Sequence, residues 1–201
     1  MRLTTNGSLP DKQRVTDLLT SCCKSLVERR RRTLVLSPEY TEAIARIAEY
    51  ITEDAPLYGF MLKGAIGNGK STLLEALNEL TNVFVRENIS ELRQIFRLVT
   101  SHEIVELYTQ DRDKYNSLCQ ADFVIIDEFG DEPLVITEYG TRISPIHNFL
   151  TYRYRYIKFT VIGTNLTLSA IKNRYDERLV DRFKEMYPTS CQINFTHDSY
   201  R

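Results

Sequence analysis

The 201-residue sequence lacks any long hydrophobic run, and this absence excludes a membrane-spanning helix. Hydrophobic residues still make up 42% of the chain, which is enough for a sizeable core. The first residues, Met1–Pro10, are polar and lack the apolar segment of a secretion signal. We therefore expect a cytoplasmic protein without a membrane partner, of a length that suits one domain and a short appendage.

The sequence also has few cysteines and almost no net charge. The four cysteines form no C-x-x-C pair and have no histidine ligands at zinc-site spacing, so neither a zinc site nor a disulfide framework is indicated. Lys and Arg total 26 against 27 Asp and Glu, which gives a net charge of -1. A protein dedicated to duplex DNA is usually more basic. Any contact with nucleic acid must therefore be local, or repeated over several subunits.

Two amphipathic helices are predicted near the start of the chain. The segment Asp11–Arg32 has the three-four spacing of a helix with one apolar face. It ends in Arg29–Arg32, which is either a solvated helix end or a contact for nucleic-acid phosphate. A second helix starts at Ser37-Pro38, with proline at the first helical position. The apolar stripe of the first helix should dock either on the rest of this chain or on a partner protein; it comprises Val15, Leu18, Leu19, Cys22 and Leu26.

Beyond residue 56 the pattern changes to alternating strands and helices. The continuous apolar run Phe123–Ile126 is typical of a central parallel strand that is covered on both faces. Four more strands are predicted, at Phe60–Leu62, Ile95–Thr100, Thr160–Gly163 and Gln192–Phe195. Helices are predicted at Ser71–Leu80, Ile104–Tyr108, Ile146–Tyr156 and Asp176–Met186. This alternation predicts an α/β fold with a five-stranded, mainly parallel sheet.

Residues Gly64–Ser71 read G-x-x-x-x-G-K-S, which is the Walker A pattern. The glycines let the backbone curl so that its N–H groups point at phosphate oxygens, and the next helix adds the positive end of its dipole. Lys70 should reach the β- and γ-phosphates, and the Ser71 hydroxyl should bind Mg²⁺. The pattern therefore predicts an ATP site whose residues are Gly64, Ala65, Ile66, Gly67, Asn68, Gly69, Lys70, Ser71 and Thr72.

An acidic pair follows the central strand. Asp127 emerges at the carboxyl end of that strand, where open α/β sheets bind their ligands, and can hold Mg²⁺. Glu128 is suited to orienting and deprotonating the attacking water. The pair favours hydrolysis of ATP over mere storage. The alternative is a generic acidic loop that also includes Asp131 and Glu132.

Polar residues also follow the fourth strand, and an arginine pair lies beyond them. The Asn165 amide could hydrogen-bond the γ-phosphate or the lytic water, although Thr164-Asn165 is also ordinary turn chemistry. Arg178 and Arg182 are one turn apart on the same face of a helix. Either they belong to a plain surface helix, or one of them reaches a γ-phosphate, for which a neighbouring subunit is a plausible source.

Together these motifs resemble the AAA+ superfamily and, more narrowly, the DnaC/DnaI-type loaders of replicative helicases. The resemblance covers roughly Ser37 to Arg201 and rests on Asp122–Gly130 (DFVIIDEFG), Tyr175–Met186 (YDERLVDRFKEM) and Asn194–Arg201 (NFTHDSYR). The segment Ile146–Lys158 also resembles the IstB-type transposition ATPases. The resemblance implies an AAA+ P-loop core without a full C-terminal lid.

The same resemblance implies roles for single residues. Asn165 falls at the first sensor position, Arg182 at the arginine finger, and Arg201 at a second-sensor-like position that contributes to nucleotide binding. Arg178 would assist the finger. The segment Ser101–Gln120 corresponds to an extra helical element that helps engage single-stranded DNA. The chain would self-associate, with its ATP sites at subunit interfaces.

The expected organisation is a helical segment of residues 1–36, a candidate docking element for a partner, followed by an AAA+ domain of residues 37–201. The predicted function is a Mg²⁺-dependent ATPase acting in DNA replication as a helicase loader, with a replicative helicase and single-stranded DNA as partners. The alternatives are an IstB-like ATPase that regulates transposition on duplex DNA and a small-molecule P-loop kinase. The kinase ranks last, because Thr164-Asn165 has no evident use in that chemistry.

Overall fold

The computed structural model describes residues 11–52, 56–86 and 96–196. The chain divides into two compact units. The first contains the described parts of Met1–Pro56, Ala65–Phe96 and Phe195–Arg201, and the second consists of Leu57–Gly64 and Arg97–Asn194. No helix within the described ranges combines the length and the apolar composition needed to cross a membrane.

The described residues of the first unit form three helices, α1 (Lys12–Arg29), α2 (Pro38–Thr52) and α3 (Lys70–Arg86). The carboxylate of Asp11 caps α1 by accepting a hydrogen bond from the Arg14 N–H. Helix α1 packs on both α2 and α3. This packing buries the apolar stripe except for the half-buried Leu18; its buried members are Val15, Leu19, Cys22 and Leu26. The stripe therefore docks on this chain itself, which is the first of its two interpretations.

The first two residues of the Arg29–Arg32 run form salt bridges at the end of α1. Arg29 Nη2 lies 2.8 Å from Glu79 Oε1, and Arg30 Nη2 lies 2.5 Å from Glu75 Oε2, both on α3. Arg31 has a φ of +57°, which ends the helical path. Because both pairs are exposed, each contributes at most about 1 kcal/mol to stability. They orient the end of α1 on α3 more than they stabilise it.

The second unit is built on a five-stranded parallel sheet with the order β2-β3-β6-β1-β7, which confirms the predicted α/β class. The strands of the described chain are β1 (Met61–Gly64), β2 (Arg97–Thr100), β3 (Phe123–Phe129), β4 (Ile136–Glu138), β5 (Thr141–Ile143), β6 (Phe159–Thr164) and β7 (Gln192–Phe195). The continuous apolar run forms β3, whose residues Val124–Ile126 are fully buried. As expected for such a run, β3 has a parallel neighbour on each side, β2 and β6.

The helices of the second unit are α4 (Ser101–Gln110), α5 (Arg112–Gln120), α6 (Pro145–Arg155), α7 (Leu168–Arg174) and α8 (Glu177–Met186). The helix predicted at Ile104–Tyr108 lies within α4, and the helical element that the resemblance implied over Ser101–Gln120 consists of two helices, α4 and α5. Asp111 separates them, since it ends α4 and its carboxylate caps α5. Helix α7 and the antiparallel hairpin β4–β5 were not predicted.

A buried arginine joins three elements of this unit. The Arg153 side chain on α6 is fully buried and donates hydrogen bonds to the carbonyl oxygens of Ala121 (2.7 Å) and Phe159 (2.5 Å). It also donates to Thr160 Oγ1 at 2.7 Å. Burial lowers the pKa of Arg153 to about 10, so the guanidinium stays charged at neutral pH. Arg153 thereby ties the end of α5 to the start of β6.

The cysteines are free thiols, as expected. Cys22, Cys23 and Cys119 are buried and Cys191 is half-buried. Burial raises the pKa of the Cys23 thiol to about 12, which leaves it protonated and unreactive at neutral pH. Among the residues that the structure describes, no cluster of His, Cys, Asp and Glu has the arrangement of a metal site.

Candidate active site

A glycine-rich turn connects β1 to α3. Gly67 and Gly69 have φ angles of +88° and +89°, in the left-handed region that glycine adopts without strain. A Cβ atom on Gly69 would lie 2.7 Å from a ring carbon of Tyr40, a buried residue of α2. The position therefore requires glycine for two reasons, its backbone conformation and the Tyr40 ring. The sequence offered no signal for the second.

Lys70 is the first residue of α3 and is 7% exposed. Its ammonium donates to the Ala65 carbonyl oxygen at 2.8 Å and to Asn68 Oδ1 at 3.1 Å. Asn68 is fully buried, and its own amide nitrogen lies 3.4 Å from the Phe195 carbonyl oxygen. The lysine ammonium is thus held against the turn by acceptors of the turn itself. A phosphate bound in the turn would meet this positive charge directly.

The start of α3 adds to the positive potential of the turn. The helix is 17 residues long and has no acidic residue in its first turn, so its dipole is not offset there. Ser71 is exposed, as are Ala65 and Ile66. Thr72 is half-buried, and its hydroxyl accepts a hydrogen bond from Arg30 at 3.2 Å. The geometry is suitable for an anion at the helix N-terminus.

Three parallel strands of the second unit end at one edge of the sheet. Strand β1 ends at Gly64, and β6 ends one residue before Asn165. Lys63 is in register with Thr164, and Asp127 is in register with the last residue of β2. The sheet therefore brings Gly64, Asp127 and Asn165 to the edge at which parallel α/β sheets bind their ligands. These three predicted site residues come from different parts of the sequence.

Glu128 has a backbone conformation that is unusual for its residue type, with a φ of +55°. Its N–H donates to Asp127 Oδ1 at 2.8 Å. Its carbonyl oxygen accepts from the buried Ser101 hydroxyl at 2.7 Å and from the Asp131 N–H at 3.1 Å. The Glu128 side chain is exposed. These bonds hold the acidic pair at the sheet edge with the Glu128 carboxylate open to solvent.

Thr164 fastens the end of β6 to the end of β3. Its hydroxyl donates to the Phe129 carbonyl oxygen at 2.7 Å and accepts from the Leu166 N–H at 3.0 Å. Gly130 has a φ of +107°, and a Cβ atom there would lie 2.4 Å from the Leu166 side chain. Asn165, between the two anchored residues, is exposed. Its position relative to β3 is thus fixed by its neighbours, whereas its amide is accessible.

The alternative interpretation of the acidic pair, a generic acidic loop, includes both Asp131 and Glu132, but the two residues differ in the structure. Asp131 is exposed, whereas Glu132 is 1% exposed. Glu132 Oε2 accepts from the Gly130 N–H at 2.9 Å, and Oε1 accepts from the Tyr175 hydroxyl. Arg174 donates to the Glu132 carbonyl oxygen. Burial, together with the Glu132 carboxylate, raises the pKa of the Tyr175 hydroxyl. Glu132 therefore links the segment after Glu128 to the end of α7.

Both predicted arginines lie on α8. Arg178 is exposed, whereas Arg182 is half-buried and its Nη1 donates to Thr151 Oγ1 at 2.5 Å. The Arg182 guanidinium also lies 5.6 Å from the centre of the Tyr154 ring. Among the contacts of the described residues, none joins either arginine to Glu128. The structure thus brings Asp127, Glu128 and Asn165 to one edge of the sheet, whereas the described contacts of Arg182 are with α6. Arg201 lies outside the described residues.

Comparison with known proteins identifies the fold. Neither protein-family models nor curated protein sequences give a match. The DnaC helicase loader superposes with a TM-score of 0.61 at 18% identity, over 81% of this chain and 93% of that chain. DnaI gives 0.60 at 18% identity, over 84% and 88% of the two chains. The replication initiator DnaA bound to AMPPCP and single-stranded DNA gives 0.54 at 14% identity, over 82% and 49%.

These similarities confirm the predicted AAA+ fold of the DnaC type. At such low identity they establish the architecture and leave the activity to be argued from the residues.

Proposed function

We propose that this chain is an ATPase that holds Mg²⁺-ATP through residues 64–72 and Asp127. The observation that carries the proposal is the meeting of Gly64, Asp127 and Asn165 at one edge of the sheet, with the glycine-rich turn following directly from β1. A turn that needs glycine, followed by a buried lysine and a helix N-terminus, is the arrangement that phosphate binding requires.

Each residue then has a defined task in hydrolysis. Lys70 neutralises the β- and γ-phosphates, while Ser71 and Asp127 hold Mg²⁺. Glu128 orients and deprotonates the attacking water, for which its exposed carboxylate is available. Asn165 hydrogen-bonds the γ-phosphate or that water. The metal ion, when bound, supplies the positive charge that the developing negative charge of the transition state requires.

We further propose that the ATPase is a helicase loader that engages single-stranded DNA and a replicative helicase in DNA replication. The fold is shared with the DnaC loader and DnaI, and the similar DnaA was bound to single-stranded DNA. Helices α4 and α5, the segment predicted to touch DNA, form a compact pair on the second unit. Since the stripe of α1 is buried, residues 1–36 would contact the helicase through the exposed face of α1 or the residues before it.

Self-association completes the proposal. Arg182, assisted by Arg178, would act on ATP held by a neighbouring subunit, since the described contacts of Arg182 in its own chain are with Thr151 and Tyr154 of α6. Arginine suits this task because its planar fork binds two phosphate oxygens and keeps its charge. Arg201 would contact the nucleotide of its own subunit.

The experiment that tests the proposal compares the wild-type chain with the Lys70→Ala variant. Removing the ammonium should lower the affinity for a fluorescent ATP analogue by about 100-fold, since truncating one partner of a buried charge pair costs 2–5 kcal/mol. The same variant should fail to retain a replicative helicase on immobilised single-stranded DNA in the presence of ATP. Wild-type retention should require ATP.

Lys63→Ala is the matched control. Lys63 is also a lysine at the carboxyl end of β1, but its ammonium donates to Gln192 at 2.7 Å rather than into the turn. This variant should keep its affinity for ATP. Unchanged ATP affinity in Lys70→Ala would overturn the proposed nucleotide site. If the wild-type chain is retained on duplex DNA in the presence of ATP and without a helicase, a function like that of the transposition ATPases is favoured instead. ATP consumption only with a small-molecule acceptor would indicate a kinase.

A further inference from the structure

The hairpin β4–β5 has an unusual residue at its tip. Its strands are joined by only two residues, Tyr139 and Gly140, whose φ angles are +49° and +79°. Two positive φ angles are characteristic of a type I′ turn, in which asparagine and glycine are strongly preferred. A tyrosine at the first position is unfavourable, because its Cβ crowds the backbone in this conformation.

The Tyr139 side chain does not offset this unfavourable conformation by packing against the folded chain. It is 100% exposed, the highest value among the large hydrophobic residues that the structure describes. The residues beside it in the hairpin are also polar or lack a side chain; they are Thr137, Glu138, Gly140, Thr141 and Arg142. The ring therefore destabilises the turn without contributing to the folded core. A strained and exposed residue of this kind is a candidate for a contact with a ligand.

The base of the hairpin is fixed. Ile136 and Ile143, which are opposite each other, pack against the hydrophobic core of the second unit. The Glu138 carboxylate accepts two hydrogen bonds from Arg112 Nη2, at 2.7 and 2.6 Å. The Arg112 guanidinium in turn lies 3.3 Å from the centre of the Tyr108 ring. The hairpin is thus fastened to both α4 and α5, and its tip is held in a defined position.

The exposed face of the hairpin carries a cation, Arg142, three residues after Tyr139 in the sequence. Glu138 and the two isoleucines use one face of the hairpin for their contacts, and Thr137 and Arg142, paired across the strands, occupy the other. Both are exposed. An aromatic ring with a nearby arginine is the combination that binds single-stranded nucleic acid, since the ring stacks on a base and the cation meets a phosphate.

A protein partner fits this surface less well. Protein interfaces bury an aromatic anchor in a pocket and surround it with further contacts that exclude water. Within the hairpin, the residues next to Tyr139 are polar or lack a side chain, so they add no apolar area to its ring. Base stacking, in contrast, needs only the face of the ring.

We propose that the β4–β5 hairpin is a stacking platform for single-stranded nucleic acid, with Tyr139 stacking on a base and Arg142 contacting the backbone. This inference rests on the proposed function, because it extends the DNA contact of α4 and α5 to the hairpin that they hold.

The test is a Tyr139→Asn variant, measured by fluorescence anisotropy with a labelled oligo-dT strand in the presence of ATP. Asparagine suits the turn, so the melting temperature should rise. The loss of one stacked base should nevertheless lower DNA affinity by about 10-fold. Tyr139→Phe keeps the ring and should bind as the wild type does. Arg142→Gln should reduce the slope of log affinity against log salt by about 0.7, as expected for one phosphate contact to a single strand.

Tyr156→Asn is the control, since Tyr156 is another exposed tyrosine of the second unit. It should leave DNA affinity unchanged. If the wild type binds DNA and Tyr139→Asn binds equally well, the inference fails while the proposed function stands. If Tyr139→Asn loses only helicase retention, Tyr139 contacts protein and the inference is again wrong. If the wild type binds no single-stranded DNA, both the inference and the DNA-binding part of the proposed function fail.

Discussion

At Glu128 the backbone is held in the left-handed region, which costs a residue with a Cβ atom on the order of 1 kcal/mol. Two hydrogen bonds offset this cost: the Glu128 N–H donates to Asp127, and the Ser101 hydroxyl donates to the Glu128 carbonyl oxygen. Strained residues of this kind are concentrated at functional sites, where a side chain must be held in one orientation. Ser101 is the first residue of α4, and its hydroxyl donates to the Glu128 carbonyl oxygen. This hydrogen bond therefore connects the proposed DNA-engaging helices to the proposed general base.

Arg182 provides a prediction for a single residue. If it acts on ATP in a neighbouring subunit, Arg182→Ala should bind ATP normally and hydrolyse it about 10³-fold or more slowly, as arginine fingers do in GTPases. An equimolar mixture with Glu128→Gln should be more active than either variant alone, because one subunit supplies the finger and the other supplies the base. Steady-state phosphate release is the measurement.

The control for that prediction uses the contact of Arg182 in its own chain. Thr151→Val removes the hydroxyl that accepts from Arg182 but leaves the guanidinium in place. It should retain hydrolysis. A mixture no more active than the mean of its components, with co-assembly shown independently, would make Arg182 a residue of its own subunit.

Among the elements, α1 illustrates how far an amphipathic pattern can be interpreted. Its three-four spacing predicted a helix with one apolar stripe, and the helix and its buried face are present. The spacing could not show whether the stripe packs on this chain or on a partner, because either kind of packing requires apolar residues at the same helix positions. The contacts with α2 and α3 decide the matter.

The buried stripe leads to a stability prediction for α1. Leu19→Glu introduces a carboxylate at a fully buried position and should lower the free energy of unfolding by at least about 3 kcal/mol. Ser21→Glu, on the exposed face of the same helix, should change it by less than about 0.5 kcal/mol. Urea unfolding measures both. Full stability of Leu19→Glu, combined with loss of helicase retention, would contradict the packing of the stripe on this chain.

The shortest elements could not be predicted from the sequence. Each strand of the β4–β5 hairpin has three residues, and α7 has seven, so neither repeats a periodic pattern often enough to be recognised. The separation of α4 from α5 was missed for another reason. Asp111 serves as the end of one helix and the cap of the next, and a single residue with both roles interrupts the pattern very little.

For the whole molecule, the alternation of strands and helices was sufficient to predict the class of fold and its five strands. The Walker A pattern lies where β1 leads into α3, and the acidic pair lies in the last part of β3, so both predicted motifs have the strand context that the sequence indicated. Contacts between distant residues could not be predicted. The Tyr40 ring against Gly69 and the Glu132 bond to Tyr175 depend on tertiary packing, for which local sequence carries no signal.

The central claim is that the whole chain hydrolyses ATP with Glu128 as its base. The most direct measurement is single-turnover ATP hydrolysis by the wild type, Glu128→Gln and Asp131→Asn, after the ATP affinity of each has been measured. Asp131 is the matched control, as it is an exposed acid three residues further along. We expect all three proteins to bind ATP within about twofold of one another. Glu128→Gln should hydrolyse ATP at least about 100-fold more slowly, and Asp131→Asn at the wild-type rate. Wild-type turnover in Glu128→Gln, or its loss in Asp131→Asn alone, would contradict the account.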